Sequence, residues 1–301
     1  MFSLSTAWNS ELHTNGTDMV NQIKAIGFDT VELNFSLTKS MVDEVLALVK
    51  EGAIKVSSLH NICPLPDEIE RAKASPDYYS LSSCSEDVRR HAVEVTKNTI
   101  LYASKLKAEA VVLHAGRVEV KDRTRELAAS VSQKARFESL RSEIMRERSA
   151  KKKDYFDSVI KSLGELVPYA RSLGITIGIE NRYYYREIPI LEEFEEIFRN
   201  FSADELSYWH DVGHAEVFDR LGLVRHKDLL ERFSHRLKGI HLHDIIGPIE
   251  DHKAPGSGTF DFRLIKPYLN KNTLKVLEPH QPATADEIRR SVEYLGEIFK
   301  L

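Results

Sequence analysis

Short apolar runs alternate along most of the chain with longer segments in which apolar residues recur every three or four positions. The short runs predict buried strands, and the longer segments predict helices with one face against a core. The predicted strands cover residues 2–6, 30–33, 54–59, 110–113, 175–179, 206–210, 237–240 and 273–277. The predicted helices cover residues 18–25, 41–50, 86–105, 155–173, 191–200, 227–234 and 285–299.

These elements form eight successive units in which a strand is followed by a helical segment. Alternating strands and helices favour a parallel sheet, and eight units favour a closed (β/α)8 TIM barrel. An open, doubly wound sheet is the alternative, but no Gly-x-Gly-x-x-Gly motif follows the first strand to mark a dinucleotide site. We therefore predict one α/β TIM-barrel domain over residues 1–301.

Two segments depart from this alternation. Residues 120–153, after the fourth strand, are dense in Arg, Lys and Glu and permit a helix throughout. Because charge runs usually mark solvated faces, we predict a helical insertion on the outside or rim of the barrel, with a lid or an oligomer contact as the alternative. Residues 61–85 form a loop rich in Pro, Ser and Asp, which we predict to border a site.

A histidine or an acidic residue follows six of the eight apolar runs. These residues are His60, His114, Glu180, Asp211, His241 and Glu278. Because all parallel strands of a barrel end on the same face, their side chains converge on one bowl. Imidazole and carboxylate groups bind divalent cations, so this convergence predicts a metal site. In Asp211-Val212-Gly213-His214 the glycine permits a tight bend that brings His214 to the same place.

The other histidines are expected to have different surroundings. His91, His226 and His235 lie on predicted helix surfaces and are expected to be solvated. Strand alternation turns His210 away from the bowl. His243 shares the direction of His241, and with Asp244 it is either a hydrogen-bond partner of a metal ligand or a substrate contact. His252 lies in a loop on the same side of the barrel as the predicted site.

Composition narrows the class of protein. The chain has 301 residues, of which 42% are hydrophobic and 29% charged, as in an ordinary globular protein. It contains no apolar run long enough to cross a membrane, and its start lacks the pattern of a signal peptide. With only two cysteines, Cys63 and Cys84, a reducing cytoplasmic location is expected. A net charge of −4 gives no overall attraction to nucleic acid.

The motifs at the strand ends resemble the xylose isomerase-like barrel superfamily, which contains endonuclease IV and many sugar and sugar-phosphate isomerases and epimerases. The resemblance covers nearly the whole chain. Its motifs are Leu59-His60-Asn61, Val112-Leu113-His114-Ala115-Gly116, Ile179-Glu180-Asn181, His210-Asp211-Val212-Gly213-His214, Ile240-His241-Leu242-His243-Asp244, Pro255-Gly256-Ser257-Gly258-Thr259-Phe260-Asp261-Phe262 and Leu277-Glu278-Pro279.

The resemblance implies two different ligand sets. In the epimerase branch, residues matching Glu180, Asp211, His241 and Glu278 hold one metal ion, and the two glutamates also carry the proton. In the endonuclease IV branch, three zinc ions use these four together with residues matching His60, His114, His214 and His252. That branch also uses an aspartate two positions before the loop histidine, where this chain has Glu250.

Two enzyme hypotheses follow. The first is a sugar or sugar-phosphate isomerase or epimerase that uses Glu180 and Glu278 as base and acid, one to three ions of Zn, Mn, Mg or Co, and substrate contacts from His243, Arg117 and Arg182. The alternative is a multinuclear zinc phosphodiester hydrolase. We prefer the first, because the chain lacks Arg-rich or aromatic wedge loops for gripping a nucleic acid. A binding module without chemistry ranks last, and the possibility of a homo-oligomer stays open.

Overall fold

The computed structural model describes residues 2–300 and confirms the predicted (β/α)8 barrel. The barrel strands are β1 Ser3–Ser5, β2 Thr30–Leu33, β3 Lys55–His60, β4 Ala110–Leu113, β5 Thr176–Glu180, β6 Ser207–Asp211, β7 Leu237–Leu242 and β10 Leu274–Leu277. Within the described range these parallel strands close in the order β1-β10-β7-β6-β5-β4-β3-β2. The carboxyl ends of the strands form the barrel mouth.

Helices follow the strands and cover the outside of the barrel. The α-helices are α1 Gly16–Ala25, α2 Lys39–Lys50, α3 Glu86–Lys105, α4 Thr124–Ala129, α5 Lys134–Ser172, α6 Leu191–Asn200, α7 Val212–Arg220, α8 His226–Phe233 and α9 Ala285–Phe299. Several begin at polar caps, as α2 does at Thr38 and α9 at Thr284, whose side chains accept backbone N–H groups of the first turn.

A two-stranded antiparallel hairpin stands outside the barrel sheet, between β7 and β10. Its strands are β8 Asp244–Ile246 and β9 Glu250–Lys253. The Asp244 carboxylate accepts the backbone N–H groups of Gly256, Gly258 and Phe260 and so fixes the glycine-rich loop that follows. This loop therefore holds the hairpin over the barrel mouth.

The charged segment 120–153 contains α4 and the first half of α5. α5 runs for 39 residues without a break, so the segment continues directly into the helix expected at 155–173, and Pro168 lies inside it. Leu140, Ile144 and Arg148 are its buried positions in this half, and Arg148 makes a buried ion pair with Glu193 of α6 at 2.7 Å. These residues, with the buried Thr124, Leu127 and Ala128 of α4, anchor the charged segment to the barrel.

The barrel interior is closed below the mouth by Trp209 of β6, which is fully buried. It packs with Ala110, Val112 and Val276 of the neighbouring strands. Gly178 and Gly239 make room for the indole ring, since a Cβ atom at these positions would lie 3.0 Å and 2.3 Å from it. Across residues 2–300, no helix combines the length and the apolar character needed to span a lipid bilayer.

Candidate metal centre

The mouth brings together the side chains that end the strands. His60, Glu180 and Asp211 are the last residues of β3, β5 and β6, and His241 lies on β7. His114 and Glu278 directly follow β4 and β10. All six are at most 6% exposed and lie around one bowl. Burial of so many ligand-capable groups in one place is costly unless a cation accompanies them.

The central position is the space faced by Glu180, Asp211, His241 and Glu278. His241 Nδ1 lies 2.6 Å from Glu180 Oε1, 3.2 Å from Glu278 Oε2 and 3.5 Å from Asp211 Oδ2. On the other side of the ring, Nε2 donates to Glu32 Oε1 at 2.9 Å. Because Glu32 holds the proton on Nε2, the lone pair of Nδ1 can face a cation among the three carboxylates.

Asp211 serves local structure and the central position at once. Its Oδ1 accepts the backbone N–H of His214 at 2.7 Å and caps α7. Both of its carboxylate oxygens lie 2.9 Å from His243 Nε2. The sequence left two roles open for His243, and the structure gives it this contact with the Asp211 carboxylate. Burial lowers the pKa of His243, but the charge of Asp211 and this hydrogen bond outweigh it and raise the pKa to about 9.

The rim position is formed by His214, Asp251 and His252, whose ligand-capable atoms approach one another. His214 Nδ1 donates to the Asn181 carbonyl at 3.1 Å, and His252 Nδ1 donates to the Glu278 carbonyl at 3.0 Å. A carbonyl oxygen can only accept, so both protons are fixed on Nδ1. The two Nε2 lone pairs then face Asp251 Oδ2, at 3.8 Å and 3.7 Å.

Glu250, the expected ligand beside His252, lies outside this group. Its side chain is exposed at the tip of the hairpin, where it pairs with Ile246. His252 has a left-handed backbone with φ of 52°, which breaks the alternation of the strand. Asp251 and His252 therefore face the mouth together, and Asp251 takes the place that the sequence assigned to Glu250.

The side position is formed by His60, His114 and Glu180. His114 Nε2 lies 2.7 Å from Glu180 Oε2, and Arg182 Nη1 is within hydrogen-bond distance of both atoms. Asp77 of the loop 61–85 contacts both His114 Nδ1, at 3.0 Å, and Arg182 Nη2, at 3.1 Å. The guanidinium of Arg182 thus lies inside the side position.

The remaining predicted residues lie elsewhere. Arg117 is a rim residue whose Nε donates to Glu119 at 2.9 Å. His210 faces outward, as expected, and contacts Tyr208 and His226. His226 was expected to be solvated, but it is fully buried between His210 and Glu216, because α8 packs against α7 on that side. His91 and His235 are exposed.

Several contributors to the mouth were not predicted, among them Glu32, Asp77 and His280. Glu32 is a fully buried acid inside the apolar run Val31-Glu32-Leu33, and this interruption was a usable indication. Asp77 gives no indication, because it lies in an irregular loop. His280 stacks on His252 with ring centroids 3.7 Å apart. With Asp251, His252 and Ser257 it lines a cavity of about 310 Å³ beside the rim position.

The charges of the mouth are unbalanced. Its buried or nearly buried carboxylates belong to Glu32, Asp77, Glu180, Glu187, Asp211, Asp251 and Glu278. Of the arginines in residues 2–300, Arg182 is the one that is buried next to these carboxylates. Burial, together with the charges of Glu32 and Asp211, raises the pKa of Glu278 to about 8 against the opposing effect of His241. Against the effect of burial, these carboxylates raise the pKa of His114, His241 and His243, so three imidazoles join Arg182 as cationic groups. The carboxylates still outnumber them, which favours binding of a divalent cation.

Comparisons with known proteins agree with this architecture. The sequence model of one protein family, the xylose isomerase-like TIM barrel, matches residues 20–298. Uncharacterized protein y4fM of Sinorhizobium fredii is 23% identical over 277 residues, which cover 86% of this chain and 80% of that protein. Uncharacterized protein MJ1614 of Methanocaldococcus jannaschii is 24% identical over 267 residues and covers 86% of each chain.

Solved structures with the same fold include a D-tagatose 3-epimerase-like protein, with a TM-score of 0.67, 19% identity and coverage of 99% of this chain and 97% of that one. The 3-keto-D-glucoside 4-epimerase YcjR from E. coli has a TM-score of 0.67 and 17% identity, with 98% of each chain covered. IolI, with a bound zinc atom, has a TM-score of 0.67 and 14% identity, and the match covers 99% of this chain and 98% of that one.

Proposed function

Because this chain belongs to the xylose isomerase-like TIM barrel family, we propose that it is a divalent-metal-dependent isomerase or epimerase of a sugar or sugar phosphate. The observation that carries the proposal is the central position, where two glutamates face one imidazole nitrogen beside an aspartate. The sugar epimerases among the solved structures share the fold, and from them we take the class of substrate.

The residues of the central position suit a divalent cation. They offer three carboxylates and one neutral imidazole, a donor set typical of zinc, manganese or cobalt, with magnesium as a harder alternative. Glu32 orients the imidazole, and Ser58 Oγ donates to Glu32 at 2.6 Å. When bound there, the cation polarises a carbonyl or hydroxyl oxygen of the substrate.

Glu180 and Glu278 are the proposed proton carriers. One carboxylate removes the proton from the carbon next to the carbonyl, and the other returns a proton to the product. Since the reaction runs in both directions, each glutamate is base in one direction and acid in the other. Their surroundings differ, as two such roles require. Burial alone would raise the pKa of Glu180, but hydrogen bonds and charges from His114 and His241 hold it well below its usual value.

Phosphodiester hydrolysis is the second candidate, and the rim position favours it. His214, Asp251 and His252 supply the donor set of a further cation, and a hydrolase uses several cations to activate water and stabilise the leaving oxygen. We rank it below the isomerase, since the cavity beside the rim has the size of a small molecule. In both cases we expect a small-molecule partner in the cytoplasm, and we leave the oligomeric state open.

The test is uptake of solvent deuterium by a panel of ketoses and ketose phosphates, followed by mass spectrometry in the presence of Mn²⁺ or Zn²⁺. We expect uptake at one carbon, and a loss of about 100-fold or more in Glu180→Gln and Glu278→Gln. Asp211→Ala should lose its metal on dialysis together with the activity. Glu250→Gln is the matched control, because this exposed acid lies in the same hairpin as Asp251.

His252→Ala separates the two candidates. If the protein is an isomerase, His252→Ala should lose less deuterium-uptake activity than Glu180→Gln does, because His252 belongs to the rim position. If no sugar takes up deuterium, while a simple phosphodiester is cleaved and His252→Ala abolishes the cleavage, the hydrolase replaces the isomerase.

A further inference from the structure

Arg182 occupies a place where the sequence resemblance implied a metal ion. The side position is lined by His60, His114 and Glu180, the residues that match an additional zinc site. Arg182 Nη1 donates to Glu180 Oε2 at 2.7 Å and also contacts His114 Nε2. We infer that the Arg182 guanidinium takes the place of a cation at the side position and restricts metal binding to the central and rim positions.

The first support is that Arg182 uses the very atoms a cation would need. The two carboxylate oxygens of Glu180 face different positions. Oε1 lies 2.6 Å from His241 Nδ1 at the central position, and Oε2 accepts a hydrogen bond from Arg182 at the side position. His114 Nε2 and Glu180 Oε2 lie 2.7 Å apart, within hydrogen-bond distance of each other. The Arg182 guanidinium contacts both atoms, so neither has an unoccupied side left for a cation.

The second support is that Arg182 is fixed in place and permanently charged. Its Nη2 donates to Asp77 Oδ2 and to Glu187 Oε1, each at 3.1 Å. Glu187 is itself held by the backbone N–H of Tyr184 at 2.9 Å. The Arg182 side chain is 4% exposed, and a guanidinium does not lose its proton in a protein. A divalent cation at the side position would therefore meet a charge that can neither leave nor be neutralised.

The third support is that the donor set is otherwise complete. His60 is 4% exposed, and its Nδ1 has no hydrogen-bond partner among the described residues. Its ring is held between Phe35 and His114, at centroid distances of 5.5 Å and 4.7 Å. Two imidazoles and a carboxylate would be enough for a cation. We therefore attribute the lack of a cation at the side position to Arg182 and not to a missing ligand.

The inference rests on the proposed metal centre and deepens it. A cation at the side position would share Glu180 with the central one and give the paired cations that activate water for hydrolysis. With Arg182 there, Glu180 has one oxygen on the central position and none free for a second cation. Arg182 thus excludes the pair of cations that would share Glu180 and leaves the central and rim positions to bind metal.

The experiment counts bound metal after dialysis against Zn²⁺ or Co²⁺, with Co²⁺ absorption as a second readout. Arg182→Ala should retain about one ion more per chain than the wild type. The double variant Arg182→Ala/His114→Ala should lose that ion again. In the wild-type background, His114→Ala should leave the count unchanged. Arg186→Ala is the matched control: this arginine follows in the same loop, lies over Tyr184 at 5.8 Å, and should keep the wild-type count.

Three results would overturn the inference: an unchanged count in Arg182→Ala, a lower count in His114→Ala alone, or anomalous density at the side position of wild-type crystals soaked in Zn²⁺. If Arg182→Ala does not fold, Arg182→Met keeps the volume of the chain and carries the same expectation. Asp211→Ala distinguishes a failure of the proposed function. If wild type and Asp211→Ala bind equally little metal, the metal centre itself is refuted, and an unchanged Arg182→Ala then refutes the inference as well.

Discussion

Two neighbouring layers inside the barrel differ completely in chemistry, although the same strands build both. The lower layer, which we call the floor, contains Trp209, Val112, Val276, Gly178 and Gly239. Two residues further along each strand lies a ligand-capable side chain of the mouth. These residues are Asp211, His114, Glu278, Glu180 and His241. The difference arises from the period of two along a strand, which returns every second side chain to the barrel interior.

The comparison teaches that the mouth depends on the floor. The Trp209 ring lies 5.2 Å from the ring of His241 and fills the barrel beneath it. A packed floor keeps bulk water away from the lower side of the carboxylates, so their charges are poorly screened. The mouth is therefore suited to the cation that we propose, whereas the floor needs only close packing. Changes in the two layers should accordingly separate stability from metal binding.

The largest expected effect comes from adding one methyl group to the floor. A Cβ at position 239 would lie 2.3 Å from Trp209, whereas at position 178 the closest approach is 3.0 Å. Gly239→Ala should lower the free energy of unfolding by about 1–3 kcal/mol, and Gly178→Ala by less. Urea unfolding of the metal-free protein measures both.

A third glycine provides the matched control for this series. Gly164 lies within α5, and a Cβ there would have no neighbour within 4 Å. Gly164→Ala should raise the free energy of unfolding by up to about 1 kcal/mol, because alanine is the better helix former. Equal destabilisation at positions 164 and 239 would contradict the packing of the floor against Trp209.

The next effect concerns the mouth and should leave the fold intact. Glu32 holds the proton of His241 on Nε2, and Glu32→Gln weakens that hold without changing the size of the side chain. We expect metal affinity to fall about 10- to 100-fold, as for other residues that orient a ligand histidine. Competition with a chelating dye measures the affinity. If Glu32→Gln unfolds the protein but the metal affinity of the folded chains stays the same, Glu32 supports the fold and does not orient His241.

Much of the mouth follows from the sequence because it depends on regular structure. Parallel strands have a fixed direction, so an acidic residue or a histidine directly after an apolar run can be assigned to the mouth without a structure. His60, Glu180 and Asp211 follow this rule. Glu32 lies inside its apolar run and follows a different rule, since a charged residue inside a short apolar strand must face something polar.

The rest depends on irregular backbone, for which the sequence has no comparable rule. The left-handed backbone of His252 decides that Asp251, rather than Glu250, faces His214. Asp77 reaches Arg182 from a loop without periodicity. Arg182 was predicted to contact substrate. Its contacts with Asp77, Glu187 and Glu180 appear only when the loop 61–85 is brought against residues 180–187 at the end of β5.

The smallest expected effect comes from charges on the outside of the barrel, which solvent screens. Glu86 at the start of α3 accepts from Arg89 and also pairs with Lys161 of α5 at 2.9 Å. Hydrogen bonds from Arg89 and Lys161 lower the pKa of Glu86 to about 2. A carboxyl group with a lowered pKa in the folded state stabilises the fold above its usual pKa near 4.5.

That contribution is lost as the pH falls from about 4.5 towards about 2. Glu86→Gln should therefore have a lower melting temperature than the wild type at pH 5.5, by a small margin because Glu86 is exposed, and the gap should narrow at pH 3.5. A gap that widens on acidification would contradict a lowered pKa of Glu86 in the folded protein.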